Sequence, residues 1–169
     1  MKILGIAAPF GHDHAAALLV DGKLIAAVEE ERFTRKKHAD GQMPVNAINF
    51  CLKQSGLQPR DIDYVAYPWS YRALREKRRD YLLRTIFTKP SRAFKKFFFN
   101  SRELKRQLSF TTNTLNECGF DTSKVKLEWV EHHIAHAASA FYFSGVSQAA
   151  VLSIDAGGEI VSTMLGTGA

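Results

Sequence analysis

Ala15-Ala16-Ala17-Leu18-Leu19-Val20-Asp21-Gly22-Lys23-Leu24-Ile25-Ala26-Ala27-Val28-Glu29 sets two apolar runs on either side of a two-residue turn. Asp-Gly tolerates positive φ at both turn positions, and a connection this short joins antiparallel neighbours. Residues 15–20 and 23–29 are therefore predicted to form a β-hairpin. Upstream, Lys2 to Ala8 reads as a buried first strand, followed by a polar turn with His12, Asp13 and His14. Downstream, Pro44 opens a helix that keeps Val45, Ile48 and Leu52 on one face, and Gly56 stops it. Ile62 to Tyr67 reads as a fourth strand. Val125 to Val130 reads as a fifth and feeds a histidine-bearing helix ending at Gly145. Ala149 to Ile154 is predicted as a short buried strand and Glu159 to Gly166 as another.

Residues 70 to about 117 read as helices interrupted at Pro90. Ser91 caps a short turn bearing Phe94, Phe97 and Phe98, and Ser101 caps a further helix with Leu104, Leu108, Thr111 and Leu115 inward. Strands joined by hairpins, followed by alternating helices and strands, describe an α/β domain with a mixed sheet. Their order suits the ribonuclease H-like fold of the actin, hexokinase and Hsp70 class (the ASKHA group). Proteins of that class pair two such halves around a nucleotide. Residues 1–169 are accordingly expected to be one half, a fragment carrying a helical insertion at about 70–120.

At 169 residues the chain is long enough to bury a core. No run reaches the ~18 apolar residues of a membrane span, and no cleavage site follows the apolar start. Cys51 and Cys118 have no CxxC partner and read as free thiols of a reducing cytoplasm. The net charge of +6 is uneven: residues 72–106 hold 13 Lys/Arg against three Asp/Glu. This basic, phenylalanine-rich stretch offers a face to a membrane surface, a nucleic acid or an acidic substrate, but gives no firm nucleic-acid or membrane signature. Phenylalanines at i, i+3 and i+4 suit the buried face of a small helix, and the segment is read as a lid or insertion over a cleft. No oligomeric state is specified.

The chemistry concentrates in Glu131-His132-His133-Ile134-Ala135-His136. Residues four apart share one helix face, so the imidazoles of His132 and His136 can converge on one ion, with Asp155 at a strand end as a third ligand. Imidazole suits iron and zinc alike. A zincin needs Glu where His133 stands, and an inverted zincin needs it where Ala135 stands, so peptide hydrolysis is disfavoured. His12 can serve as a general base, since imidazole titrates near neutral pH, or it can be one of several solvated histidines of a polar turn. Arg35-Lys36-Lys37-His38 can cradle a phosphate or be a solvated loop. Asp155-Ala156-Gly157-Gly158-Glu159 lets backbone approach a ligand, and its glycines can take positive φ and present amides to phosphate.

Together, Lys2 to Ile6, His12-Asp13, Ala16 to Gly22, Glu29 to His38 and His132 to Gly145 resemble the O-carbamoyltransferase family of nodulation and antibiotic tailoring. Members are longer than this chain. The resemblance implies a YrdC-like domain, absent here, that makes carbamoyl adenylate from carbamoyl phosphate and ATP. It further implies an N-terminal domain, related to threonylcarbamoyl transferases, that passes the carbamoyl group to an acceptor hydroxyl. By this resemblance His132, His136 and Asp155 are metal ligands, joined by another from the missing second half. His12 is similar to the catalytic histidine, and Lys37 and its neighbours (Arg35, His38) to a segment lining the carbamoyl adenylate site. The implied acceptor is a small molecule, whether sugar, glycolipid or antibiotic-like, and the fragment alone is not expected to turn over. The family pattern Asp-Gly-x-Gly-Glu departs at Ala156; if that position needs positive φ, alanine costs on the order of 1 kcal/mol. Two other functions fit the same residues: an ASKHA-fold sugar or small-molecule kinase with structural histidines, and a non-catalytic basic module docking on nucleic acid or lipid.

Overall fold

The computed structural model describes residues 1–7, 13–39, 41–70, 73, 76, 81–159 and 161–169; at 92, 94–105 and 107 it describes the backbone alone. Two compact units form, one from 1–67 with 103–128, the other from 68–102 with 129–169.

In the first unit, β1 (Lys2–Ala7), β2 (Ala15–Val20) and β3 (Lys23–Glu29) are consecutive antiparallel neighbours. Asp21 and Gly22 sit at φ 49° and 79°, so the turn has the two positive-φ positions its residues predict. A register shift between Leu18 and Leu19 pairs Leu18 with Ala26 and Leu19 with Leu24, leaving Ile25 as the extra residue. β4 (Tyr64–Tyr67) runs parallel to β1, and β5 (Lys126–Trp129) completes the order β3-β2-β1-β4-β5. The sheet is mixed, as the α/β reading requires.

Its buried row is Leu18, Leu4 and Val65, which lie opposite one another on three neighbouring strands and are at most 1% exposed. Helix α2 (Val45–Ser55), preceded by the one-turn α1 (Glu31–Thr34), buries Ala47, Ile48, Cys51 and Leu52. Its Cys51 thiol points at the Ala16 and Ala26 carbonyls, which places it against β2 and β3. Gly56 ends α2 in the left-handed conformation at φ 69°.

The start of α2 has no capping side chain of its own. Glu30, 2% exposed, does that work from outside: its carboxylate accepts from the Ala47 amide at 2.8 Å, the Asn46 amide at 3.3 Å and the Asn46 side chain at 2.6 Å. Glu30→Ala leaves the buried Ala47 amide without a partner and frees both donors of Asn46. It is expected to lower stability by about 1–3 kcal/mol in urea denaturation, with Glu30→Gln milder; an unchanged midpoint for both would contradict this capping role.

Both cysteines are unpaired and buried. Burial pushes each thiol up to about 11, so only about a thousandth is thiolate at pH 8. Folded protein is expected to resist Ellman's reagent at that pH and to release two thiols' worth of colour after denaturation. Rapid reaction of the folded protein would refute it.

Helix α3 differs from its sequence reading. It is one helix, Pro90–Glu117, rather than two pieces divided at Ser101. Pro90 stands at its first position, where the missing N–H costs nothing. Thr111 and Leu115 are buried as expected, but Leu108 is 41% exposed. Phe94, Phe97, Phe98 and Leu104, like most of the basic stretch, have side chains outside those described. No helix among the described residues is long and apolar enough to cross a membrane.

The second unit holds α4 (His132–Phe143) and the antiparallel hairpin β6 (Ala149–Ile154) with β7 (Thr163–Gly168), a separate two-stranded sheet. Gly145 follows α4 at φ 74°. The predicted buried strand at 149–154 is only half covered: Leu152 and Ile154 are 59% and 72% exposed, because alternate residues of a strand face opposite ways and the other face alone meets α4. β7 begins later than predicted. Between the two strands, Asp155 N–H donates to Ser162 O at 2.9 Å and Gly158 N–H to Val161 O at 2.7 Å, which makes a turn of the connection that leaves β6 at Asp155.

Candidate metal centre

The second unit brings three predicted ligands together. His132 and His136 stack one turn apart on α4, and Asp155 ends β6; one ligand atom from each lies within 4.8 Å of the other two. Asp155 Oδ2 is 2.7 Å from His132 Nε2 and 3.5 Å from His136 Nε2, and the two Nε2 atoms are 3.1 Å apart.

The second nitrogen of His132 fixes how its ring is turned. Nδ1 lies 3.2 Å from the Pro68 carbonyl, an acceptor only, so Nδ1–H donates there and Nε2 is the nitrogen aimed at Asp155. A carboxylate oxygen and two imidazole nitrogens then face one another. A proton on Nε2 links His132 to Asp155 without an ion; in its place a cation would satisfy all three groups, and an outer carbonyl holding the far ring nitrogen is a common companion of histidine ligands. These residues fit a metal ion.

Trp69 stacks on the His132 ring at 4.6 Å and 27°, fixing the ring plane. The Asp155 carboxyl is held below its ordinary 3.8, first by the hydrogen bond from His132 and next by the Ala156 amide, which donates to Oδ1 at 2.6 Å. It is therefore ionised, as a ligand must be, and what that ionised carboxylate contributes is lost as pH falls through the lowered value.

His133 has a different task. Its Nε2 donates to Val161 O at 2.9 Å and its Nδ1 accepts from Ser153 Oγ at 2.8 Å, and it is 2% exposed. It clamps the helix to the hairpin. This clamp also explains Gly158, where a Cβ would stand 2.8 Å from the His133 ring. Neither Gly157 nor Gly158 has positive φ, and Ala156 has none either. The backbone cost expected for alanine in that place does not arise, and Gly158 is required by close packing.

The other predicted site residues lie in the first unit. His12 is outside the described residues. Its neighbour Asp13 accepts from His38 Nδ1 at 2.7 Å and donates its amide to His38 O at 3.2 Å, while His38 N–H reaches Glu31 Oε2 at 2.7 Å. Arg35 and His38 take left-handed backbone at φ 58° and 62°. Arg35 and Lys37 are exposed. Asp13, Glu31 and His38 also have ligand-like spacing. Here, though, Glu31 is committed to the His38 amide and to Arg32 at 3.2 Å, so donors already match acceptors. This cluster is a clip between two loops. His14, counted among solvated turn histidines, is 1% exposed with Nδ1 against the Gln42 carbonyl.

Sequence reasoning missed the Pro68 carbonyl, Trp69 and the reach of Glu159 to the start of α4. Backbone carbonyls leave no compositional trace. Glu159 did carry one, as the last residue of the Asp-x-Gly-Gly-Glu turn.

A mixed-sheet α/β protein with a His-His-Asp set at a helix–strand junction is the class that fold and site define. The chain belongs to the carbamoyltransferase family: residues 2–168 match the family's carbamoyltransferase N-terminus. It is 40% identical over 172 aligned residues to an uncharacterised protein of Synechocystis sp., covering 98% of this chain and 27% of that one. Nodulation protein NolNO of Sinorhizobium fredii is 36% identical over 159 residues, 94% of this chain and 22% of its own. An uncharacterised protein of Methanocaldococcus jannaschii is 28% identical over 160 residues, 95% and 23%. The chain thus spans about a quarter of the length of these curated relatives.

Proposed function

We propose that this chain is the metal-binding part of an O-carbamoyltransferase that moves a carbamoyl group from carbamoyl adenylate to the hydroxyl of a small acceptor, a sugar, glycolipid or antibiotic-like molecule. Family membership and the NolNO likeness support carbamoyl transfer. The strand order β3-β2-β1-β4-β5, with three antiparallel strands and a parallel fourth, supports a ribonuclease H-like half of the ASKHA group with an insertion at about 70–120. The longer relatives have room for a second half and a YrdC-like domain to make the adenylate from carbamoyl phosphate and ATP.

The observation that carries the reading is the convergence of His132 Nε2, His136 Nε2 and the Asp155 carboxylate. These residues would hold iron or zinc, with a further ligand from outside this chain. When bound, the ion supplies positive charge beside oxygens that gain negative charge in acyl transfer. His12 takes the proton of the attacking hydroxyl as its oxygen bonds to the carbamoyl carbon. The bond from that carbon to the phosphate oxygen breaks, and its electron pair leaves with AMP. Arg35 and Lys37, with His38 anchoring their loop, supply cationic groups for the phosphate; Gly157 leaves its backbone without side-chain cover, whereas the Gly158 amide is already donated to Val161 O. A kinase reading would need all the histidines to be structural. His133 has both nitrogens bound to the hairpin, as a structural histidine would; Nε2 of His132 and of His136 instead face each other and a carboxylate, which favours the transferase.

The test is to purify the protein at its natural full length, measure bound iron and zinc, and supply ATP with radiolabelled carbamoyl phosphate and a panel of hydroxyl acceptors. Stoichiometric metal and acceptor-dependent AMP release are expected. Metal-free protein that forms no carbamoylated product after reconstitution would end the proposal.

A further inference from the structure

We propose that Glu159 is a positioning residue for the metal centre, holding both His132 and the backbone that orients its ring; this rests on the metal reading above. Glu159 is a carboxylate buried to 5% exposure within the turn that begins at Asp155. Burying such a group is expensive unless its oxygens are engaged, and here they are. Oε1 accepts from the Ser70 amide at 2.6 Å and from the His132 amide at 3.1 Å, and Oε2 accepts from the same His132 amide at 3.2 Å.

Those two amides belong to the two segments whose mutual placement the metal centre needs. His132 is the first residue of α4, and the preceding Glu131 offers no side-chain cap. Glu159 therefore fills the capping role from across the unit, with its negative charge at the positive end of the helix. Ser70 lies two residues after Pro68, whose carbonyl meets His132 Nδ1 at 3.2 Å, and next to Trp69, which stacks on the His132 ring. One carboxylate thus ties the backbone of His132 to the backbone that orients its imidazole. Because Glu159 is four residues beyond Asp155, the same turn brings the third ligand to 2.7 Å from Nε2. The glutamate touches none of the converging ligand atoms; it acts through His132.

A cap with no further role would lower stability and leave the ion's surroundings unchanged. Cobalt(II) separates the two roles, since its visible bands report the geometry of its ligands. The metal-stripped full-length protein and its variants are titrated with cobalt alone, and their melting is followed in parallel. Glu159→Ala is expected to weaken cobalt binding by about 10–100-fold, the range for outer partners of metal ligands, and to alter the bands. Glu159→Gln keeps Oε1 but sets an NH2 against the second contact with His132, and should fall between wild type and alanine. Ser153→Ala loosens His133 on the same hairpin, and should lower the melting temperature with affinity and bands unchanged. If Glu159→Ala does not fold, the glutamine variant decides. Cobalt affinity and bands equal to wild type in the folded Glu159 variants would overturn the inference and leave the metal centre standing. A wild type that takes up no cobalt would overturn both.

Discussion

Replacing His132 with alanine is expected to strip the full-length protein of its metal and abolish carbamoyl transfer. His132 Nε2 stands 2.7 Å from Asp155 and 3.1 Å from His136 Nε2, so it occupies the middle of the ligand set. Removing a direct ligand should cost more than the ~10–100-fold typical of an outer partner. Asp155→Ala should behave alike, because it removes the only negative charge among the three ligands. The informative contrast is His133→Asn on the next helical position. His133 holds Ser153 and Val161 and belongs to no ligand set, so this variant should melt earlier yet keep its metal. Metal analysis by mass spectrometry beside a thermal melt reads both. Equal metal loss in His133→Asn and His132→Ala would show that general loosening, and not ligation, explains the result.

His12→Asn should produce the second large effect, a fall of about 10²–10⁴ in transfer, the usual contribution of a positioned general base, with metal content at the wild-type level. A base works when deprotonated. The wild-type rate should therefore rise with pH across the range where an imidazole loses its proton, and the variant should lack that limb. Comparing kcat/KM against pH for the two proteins, with carbamoyl phosphate, ATP and acceptor present, is the measurement. A variant with wild-type rate and the same pH profile would remove His12 from the chemistry. Because Asp13 ties its neighbourhood to His38, Asp13→Asn is a useful companion that loosens the loop and keeps the imidazole.

Much of the fold was legible because its signals are local. Asp21-Gly22 sets a hairpin through backbone conformation alone, and Gly56 stops α2 through its left-handed φ. The i, i+4 spacing of His132 and His136 is likewise a property of any helix. Errors arose where a local signal had two meanings. Pro90 and Ser101 read as a break and a cap, yet proline is equally at home as the first residue of a helix, and serine is tolerated within one. Apolar character at Leu152 and Ile154 read as burial, whereas hydrophobicity records what a strand can bury and not what covers it. The glycines at 157 and 158 suggested freedom of φ, but the reason for Gly158 is a ring from α4 that sequence distance hides.

The order of residues alone thus determined the hairpin, the mixed α/β class and the shared helix face of His132 and His136, since each follows from backbone preference or periodicity within a few positions. Tertiary structure decided what those residues do. It brought Asp155 to His132 across 23 positions, turned Nε2 toward it by placing the Pro68 carbonyl on Nδ1, assigned His133 to the hairpin, and buried Glu159 against two distant amides. The physical reason is that a tautomer, a ligand geometry or a buried charge depends on atoms within about 3 Å in space, and only the folded chain sets which atoms those are.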